Sequence, residues 1–154
     1  MVGRLIYLSH TRLDKSFAIS LVSPFMHNPI EADMNAVRKI LSYVKATRGK
    51  GILFILGADL KIQGYIDVDY GGSLVDRRST TGYCVFLGRN LIYWRSKKQG
   101  VVTRSSVEAE FRVMALGVCE LLWVKIILED LKILAQKPIE LLGDNQSAIS
   151  IAAI

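Results

Sequence analysis

The stretch GYIDVDYGG, residues 64–72, sets the reading of the whole chain. An apolar, β-branched run stops in two aspartates, Asp67 and Asp69, and then in a pair of glycines. The run reads as a strand. Asp69 with Gly71 and Gly72 just beyond it reads as the turn that ends it. Two carboxylates so close at the end of an inward-reading strand repel each other unless a positive charge lies nearby. On this stretch alone the plain strand-end turn is the better explanation, and the neighbouring sequence has to say otherwise.

Outward from it the chain keeps a strand period. ILFIL (52–56) and LKIQGYI (60–66) lie on one side, GYCVFL (82–87) and LIYW (91–94) on the other, with Gly57, Gly64, Gly71, Gly72 and Gly88 punctuating them. All are short runs rich in β-branched and aromatic residues, and GRN (88–90) reads as a hairpin loop. Helical spacing returns from Ser105 to about Leu134. IELLG (139–143) is a further strand, and Asn145 opens another helix. Antiparallel strands, then a long helix, then a strand make the helix a right-handed crossover. It places IELLG parallel to KIQGYI. The expected fold class is α/β: a mixed sheet with flanking helices.

This topology gives the acids a second meaning. Asp144 follows IELLG and would pass as a helix cap by itself. Beside KIQGYI, it and Asp67 both end neighbouring strands, the edge where α/β sheets hold ligands. SSVEAEF (105–111) supplies a third acid at the start of the long helix, where acids suit the dipole in any case. At about 100° per residue, Val107, Phe111, Met114, Val118 and Leu122 form the expected buried stripe. Glu110 lies one step off that stripe and Glu108 farther out, so Glu110 is expected to face the sheet and Glu108 the solvent. Three clustered carboxylates call for a cation. Oxygen ligands in small number suit Mg²⁺ or Mn²⁺, and His10 and His27 are remote in sequence from all three acids. Two such ions clamp the attacking and leaving oxygens in phosphodiester hydrolysis.

The first 50 residues read as helical. TRLD (11–14) has capping-box spacing ahead of KSFAISLVSPFM, and Pro24 should end that helix. NPIE reads as a start, with Asn28 as N-cap and Pro29 in the first turn. TRGKG closes this helix at Gly49 or Gly51.

Composition bounds the class. The chain has 154 residues, the length of one domain with room for an appendage. Apolar residues make up 51%, too many for a disordered chain. Lys and Arg number 20 against 14 Asp and Glu, a formal +6 that suits a polyanionic partner. Cys84 and Cys119, without a CxxC, point to neither zinc nor a disulfide framework. A reducing, intracellular setting, cytoplasmic or nuclear, is expected, with no membrane partner, since no uncharged run reaches the ~18 residues of a span.

The chain resembles the Pol polyproteins of copia-type long-terminal-repeat retrotransposons. The resemblance rests on YLSHTR, FMHNP, GYIDVDYGG, DRRSTTGYCVFLG, WRSKKQ, RSSVEAEFRVMA, ELLWVKIILEDL and DNQSAISIA, in that order. It covers nearly the whole chain. It implies a ribonuclease H-like domain over residues 51–154 with a five-stranded mixed sheet. Residues 1–50 then match the helical connection that follows a reverse transcriptase. The implied activity is cleavage of the RNA strand of RNA–DNA hybrids with Mg²⁺ or Mn²⁺, within the same polyprotein as the reverse transcriptase domain. Asp67, Glu110 and Asp144 match the implied catalytic and metal-binding acids.

The sequence departs from the family where Tyr70 stands for the usual Trp, Leu13 for a frequent Pro, and Gly143 for Cys or another residue. The family also carries a fourth metal-binding position in a segment that would follow Ile154, so the expectation is a domain incomplete at its C-terminus and weak or inactive in cleavage. Arg77, Arg78 and Ser79 in one basic segment, and Arg95, Lys97, Lys98 and Arg104 in and after another, are the expected nucleic-acid contacts. Solvated loops are the plain alternative. A non-catalytic remnant that binds nucleic acid or a protein partner is the alternative function.

Overall fold

The computed structural model describes residues 1–57, 60–72 and 77–152, with side chains as far as residue 150. Asp76 of DRRSTT lies outside the described residues. The chain divides into two units, Met1–Leu53 and Phe54–Ile154.

The first unit is three helices, α1 (Val2–Ser9), α2 (Ser16–Val22) and α3 (Glu31–Ala46). Their apolar faces meet around Leu5, Ile19, Val22, Val37 and Ile40. Pro24 sits in the 3₁₀ turn Ser23–Phe25 that follows α2, as its missing N–H requires. Two expected starts are corrected. Thr11 does not open α2: its hydroxyl donates back to the Leu8 carbonyl at 3.2 Å, and a 3₁₀ turn, Leu13–Lys15, intervenes. The helix α3 begins at Glu31, not at Pro29, because the Asp33 carboxylate reaches back to accept from the Ile30 N–H at 2.9 Å. Thr47 caps the other end of α3, and Gly49 beyond it has φ +75°.

That cap carries a charged knot. The Arg12 guanidinium donates to both Asp14 carboxylate oxygens, at 3.0 and 2.9 Å, and to the carbonyl and hydroxyl of Thr47 at 3.2 and 3.0 Å. Lys15, only 2% exposed, lies 3.5 Å from Asp14 and 3.4 Å from the Thr47 hydroxyl, with its ammonium over the Tyr43 ring. A cation this deep persists only where charge and hydrogen-bond partners surround it.

The second unit is a four-stranded sheet crossed by one long helix. Its strands are β1 (Lys61–Asp69), β2 (Thr80–Leu87), β3 (Asn90–Lys98) and β4 (Gln136–Leu142), in the order β3-β2-β1-β4. The first three form an antiparallel meander, closed at Gly88-Arg89 by a two-residue turn in which Gly88 has φ +58°. The helix α4 (Ser106–Asp130) crosses over and sets β4 parallel to β1. The helix α5 (Gln146–Ala152) follows.

The expected fifth strand is absent among the described residues. ILFIL forms no ladder; the Asn90 side chain accepts from the Ile55 N–H at 2.7 Å and donates to its carbonyl at 2.9 Å. A side-chain amide thus takes the place that a neighbouring strand would fill.

The buried stripe of α4 is also corrected. It runs Ala109, Glu110, Val113, Gly117, Leu121, Val124 and Leu128, while Val118 and Leu122 are exposed. Apolar residues surround this helix, so periodicity could not choose the face. Small residues chose it. A Cβ at Gly117 would lie 2.8 Å from Ile66 Cγ2, and one at Gly64 would lie 3.0 Å from Leu121. The helix backbone therefore rests directly on β1. The core is Ile62, Val85, Leu121, Val124 and Leu128, continued by Ile66, Tyr83 and Val113.

Candidate functional site

The site follows from where β4 stops. Its register with β1 runs to Tyr65↔Leu142, and Leu142 is its last residue. Past that point β1 continues through Asp67 to Asp69 with a strand partner, among the described residues, only on its β2 side, where Asp67 pairs with Gly82. Gly143 passes close against β1, since a Cβ there would meet Ile66 Cγ1 at 3.2 Å. Asp144 follows at this open corner. The first turn of α4 is capped by the Ser105 hydroxyl, which accepts from the Glu108 N–H at 3.1 Å.

Glu110 is the first polar member of the buried stripe and only 8% exposed. Glu108 instead pairs with Arg112 at 3.0 Å and accepts from the Arg104 N–H at 2.9 Å. These contacts hold the Glu108 carboxyl below its usual range, the Arg104 amide foremost. Burial pushes the Glu110 carboxyl above its usual range, and the charges of Asp144 and then Asp67 push it further. A hydrogen bond from Asn145 opposes them. The charges of Asp144 and Asp67 thus act on the buried Glu110 carboxyl.

Asn145 is the site residue that sequence reasoning missed. Its Oδ1 accepts from the Ala148 N–H at 2.9 Å and starts α5. An asparagine used as a cap spends only its oxygen. Its two amide hydrogens remain to be placed, and that was the available signal.

Strand alternation puts Asp67 and Asp69 on the face of β1 opposite to the residues that pack on α4. Ile62, Gly64 and Ile66 turn toward α4, while Asp67 and Asp69 are exposed on the alternate positions. Among the described residues, no three Asp, Glu, His or Cys side chains already stand close enough to hold one ion together. The donor set still fits a hard divalent cation: carboxylates without thiolate or imidazole, one of them buried against two like charges.

The basic residues are placed differently from each other. Arg77 is exposed at φ +54°, and Arg78 is half-buried. Ser79 is wholly buried, out of reach of a phosphate; its hydroxyl accepts from the Gly71 N–H and lies 3.3 Å from that of Thr103. Arg95, Lys97 and Lys98 lie on strand β3 rather than in a loop, and all three are exposed. Arg95 pairs across from Tyr83. A hydrogen bond to the Tyr83 hydroxyl, foremost, raises the Arg95 guanidinium above its usual range. Tyr83 also donates to Glu120 at 2.6 Å. Arg104 is exposed just before the cap of α4.

No protein-family model matches the chain, and no solved structure matches it. It is 44% identical over 123 residues to the uncharacterized mitochondrial protein AtMg00810 of Arabidopsis thaliana, covering 80% of this chain and 51% of that protein. It is 40% identical over 153 residues to the retrovirus-related Pol polyprotein from transposon RE1 of the same plant, covering 99% of this chain and 10% of the polyprotein. It is 34% identical over 126 residues to the secreted RxLR effector protein 161 of Plasmopara viticola, covering 81% of this chain and 89% of that protein. The chain thus spans about half the length of the first relative and a tenth of the second.

Proposed function

We propose, for a chain that belongs to the family of retrovirus-related Pol polyproteins of transposons, that its second unit is a ribonuclease H-like domain acting on RNA–DNA hybrids. The observation that carries this reading is Glu110, only 8% exposed, its carboxyl pushed up by burial and by the charges of Asp144 and Asp67. An acid kept there at a cost to stability is best explained by a bound cation.

Asp67, Glu110 and Asp144 would hold Mg²⁺ or Mn²⁺, which supplies stabilisation of charge on the attacking and leaving oxygens of a phosphodiester. The chain's own residues do the rest. Burial by α4 keeps Glu110 out of bulk water, and Asn145 orients its carboxylate. Exposed Arg77, Lys97, Lys98 and Arg104 supply a field that holds the nucleic-acid backbone irrespective of sequence. The reverse transcriptase domain of the same polyprotein is the natural source of the hybrid.

The experiment measures Mn²⁺ binding by calorimetry and cleavage of a labelled hybrid in Mg²⁺. Binding should be lost in Asp67→Asn and Asp144→Asn, and any cleavage should fall by roughly 10²–10³ in either, the usual cost of an electrostatic contact to the transition state. Absence of ion binding in the unaltered chain would overturn the reading. A second reading, a domain that holds hybrids without cutting them, is favoured because, among the described residues, no three acidic side chains stand close enough to hold one ion. Hybrid binding by fluorescence anisotropy, undiminished by Asp67→Asn and unaccompanied by cleavage, would select it.

A further inference from the structure

We propose that Gln99 is a positioning residue that fixes Glu110 by fastening the first turn of α4 to the sheet. The proposal rests on the metal-site reading above only for its purpose; the fastening itself rests on contacts.

Gln99 is 8% exposed and follows β3 directly. Its backbone N–H donates to the Ser79 carbonyl at 2.8 Å. Its side-chain Nε2 donates to the Thr81 hydroxyl on β2 at 3.0 Å and to the Ala109 carbonyl at 3.4 Å. Ala109 is the residue before Glu110. One carboxamide thus ties the middle of the sheet to the peptide unit that carries the buried acid. The contact with Ala109 also fixes the amide's orientation, because a carbonyl can only accept. Around it, Thr81, Ser79 and Thr103 are each 4% exposed or less. The Ser105 cap secures the same turn at its outset, through Glu108 on its outer side.

The geometry has a cost that identifies its purpose. Gln99 Oε1 is buried and has no hydrogen-bond partner among the described residues. An unpaired buried amide oxygen destabilises a fold, and an apolar side chain of the same size would pack without that penalty. A residue retained for stability alone would be apolar here. Gln99 serves placement: it fixes how far the start of α4 stands from the sheet, and so where Glu110 meets the open corner.

The test uses the full chain and two variants, Gln99→Met, which keeps volume, and Thr81→Val, which removes the hydroxyl that receives the amide. Amide hydrogen exchange is followed along α4, with thermal melting and Mn²⁺ calorimetry in parallel. In both variants residues 109–113 should exchange about ten-fold faster, the loss of a hydrogen bond or so in local opening. Residues 121–128 should keep their rates, Tm should stay within about 2 °C, and Mn²⁺ should bind about ten-fold more weakly. Thr81→Ser should behave as the unaltered chain. Exchange that rises uniformly along α4, or stays unchanged in both variants, would overturn the proposal. If the unaltered chain binds no Mn²⁺ while both variants speed exchange at 109–113 alone, the fastening stands and only the metal reading falls.

Discussion

Glu110 is an acid whose folded-state proton affinity is raised, the reverse of the common case for carboxylates. The folded chain then holds that proton more tightly than the unfolded one. Its contribution favours folding below the ordinary glutamate value of about 4.3 and is lost as pH rises through the raised value. At pH 7 without divalent ions the ionised group is a liability, so Glu110→Gln should raise Tm by roughly 2–4 °C, the shift that ~1 kcal/mol produces at this chain length. The gain should vanish below about pH 4, and Mg²⁺ should stabilise the unaltered chain but not the variant. Melts at the two pH values, with and without the ion, check all three. Asp14 behaves oppositely. The Arg12 guanidinium, with help from Tyr43 and Lys15, brings its carboxyl down to about 2. Its stabilisation is present above the ordinary aspartate value and is lost as pH falls from about 4 to about 2. Asp14→Asn should cost about 1–2 kcal/mol at pH 7, between exposed and buried pair values, because the carboxyl is partly solvated while Lys15 is not. Urea unfolding of the first unit, followed at pH 7 and pH 2, should show the difference disappear at the lower value.

At the scale of elements, α4 is placed by what it lacks. Gly117→Val would drive a branched side chain into Ile66 and Leu141, both already closer than ordinary contact to a Cβ there. Overpacking of this kind costs about 1–3 kcal/mol. The larger effect should be displacement of the helix start, read as weaker Mn²⁺ binding than Gly117→Ala gives. The element order, the parallel placing of β4 and the inward turn of Glu110 were legible in the sequence, because a strand-helix-strand crossover has one hand and one outcome. The stripe of α4 was not, because Leu116, Leu122, Trp123 and Ile126 are apolar yet exposed, and hydropathy gives them the same weight as Val113 and Leu121. ILFIL was misread for a related reason. Five apolar residues state a preference for extended backbone but not whether a partner's edge is free. Of the candidate site, the three acids were named from spacing and topology, and the structure shows Glu110 buried as expected. Gln99 could not be found that way, since its role comes from hydrogen bonds to Thr81 and Ala109 on other elements.

At the scale of the whole molecule, the +6 charge and the exposed cations predict binding to nucleic acid without regard to sequence. Affinity for a hybrid should fall linearly with the logarithm of salt, by about 0.9 per phosphate neutralised on a duplex. Lys97→Ala with Arg77→Ala should flatten that slope by about 1–2. Arg95→Ala should act mainly on stability, since its guanidinium is engaged by Tyr83. Anisotropy titrations across salt concentrations separate these outcomes. The pairing of Gln63 with Glu140, 77 residues apart, has a further consequence, for the order of events as the chain is made. The meander β1-β2-β3 is local and can form as soon as it leaves the ribosome. One edge of β1 must wait until α4 and β4 have been synthesised, and it stays open to other chains meanwhile. Asp67 is thus in place early and Asp144 arrives only after α4 and β4, so the acidic corner exists only once that long-range pairing has formed.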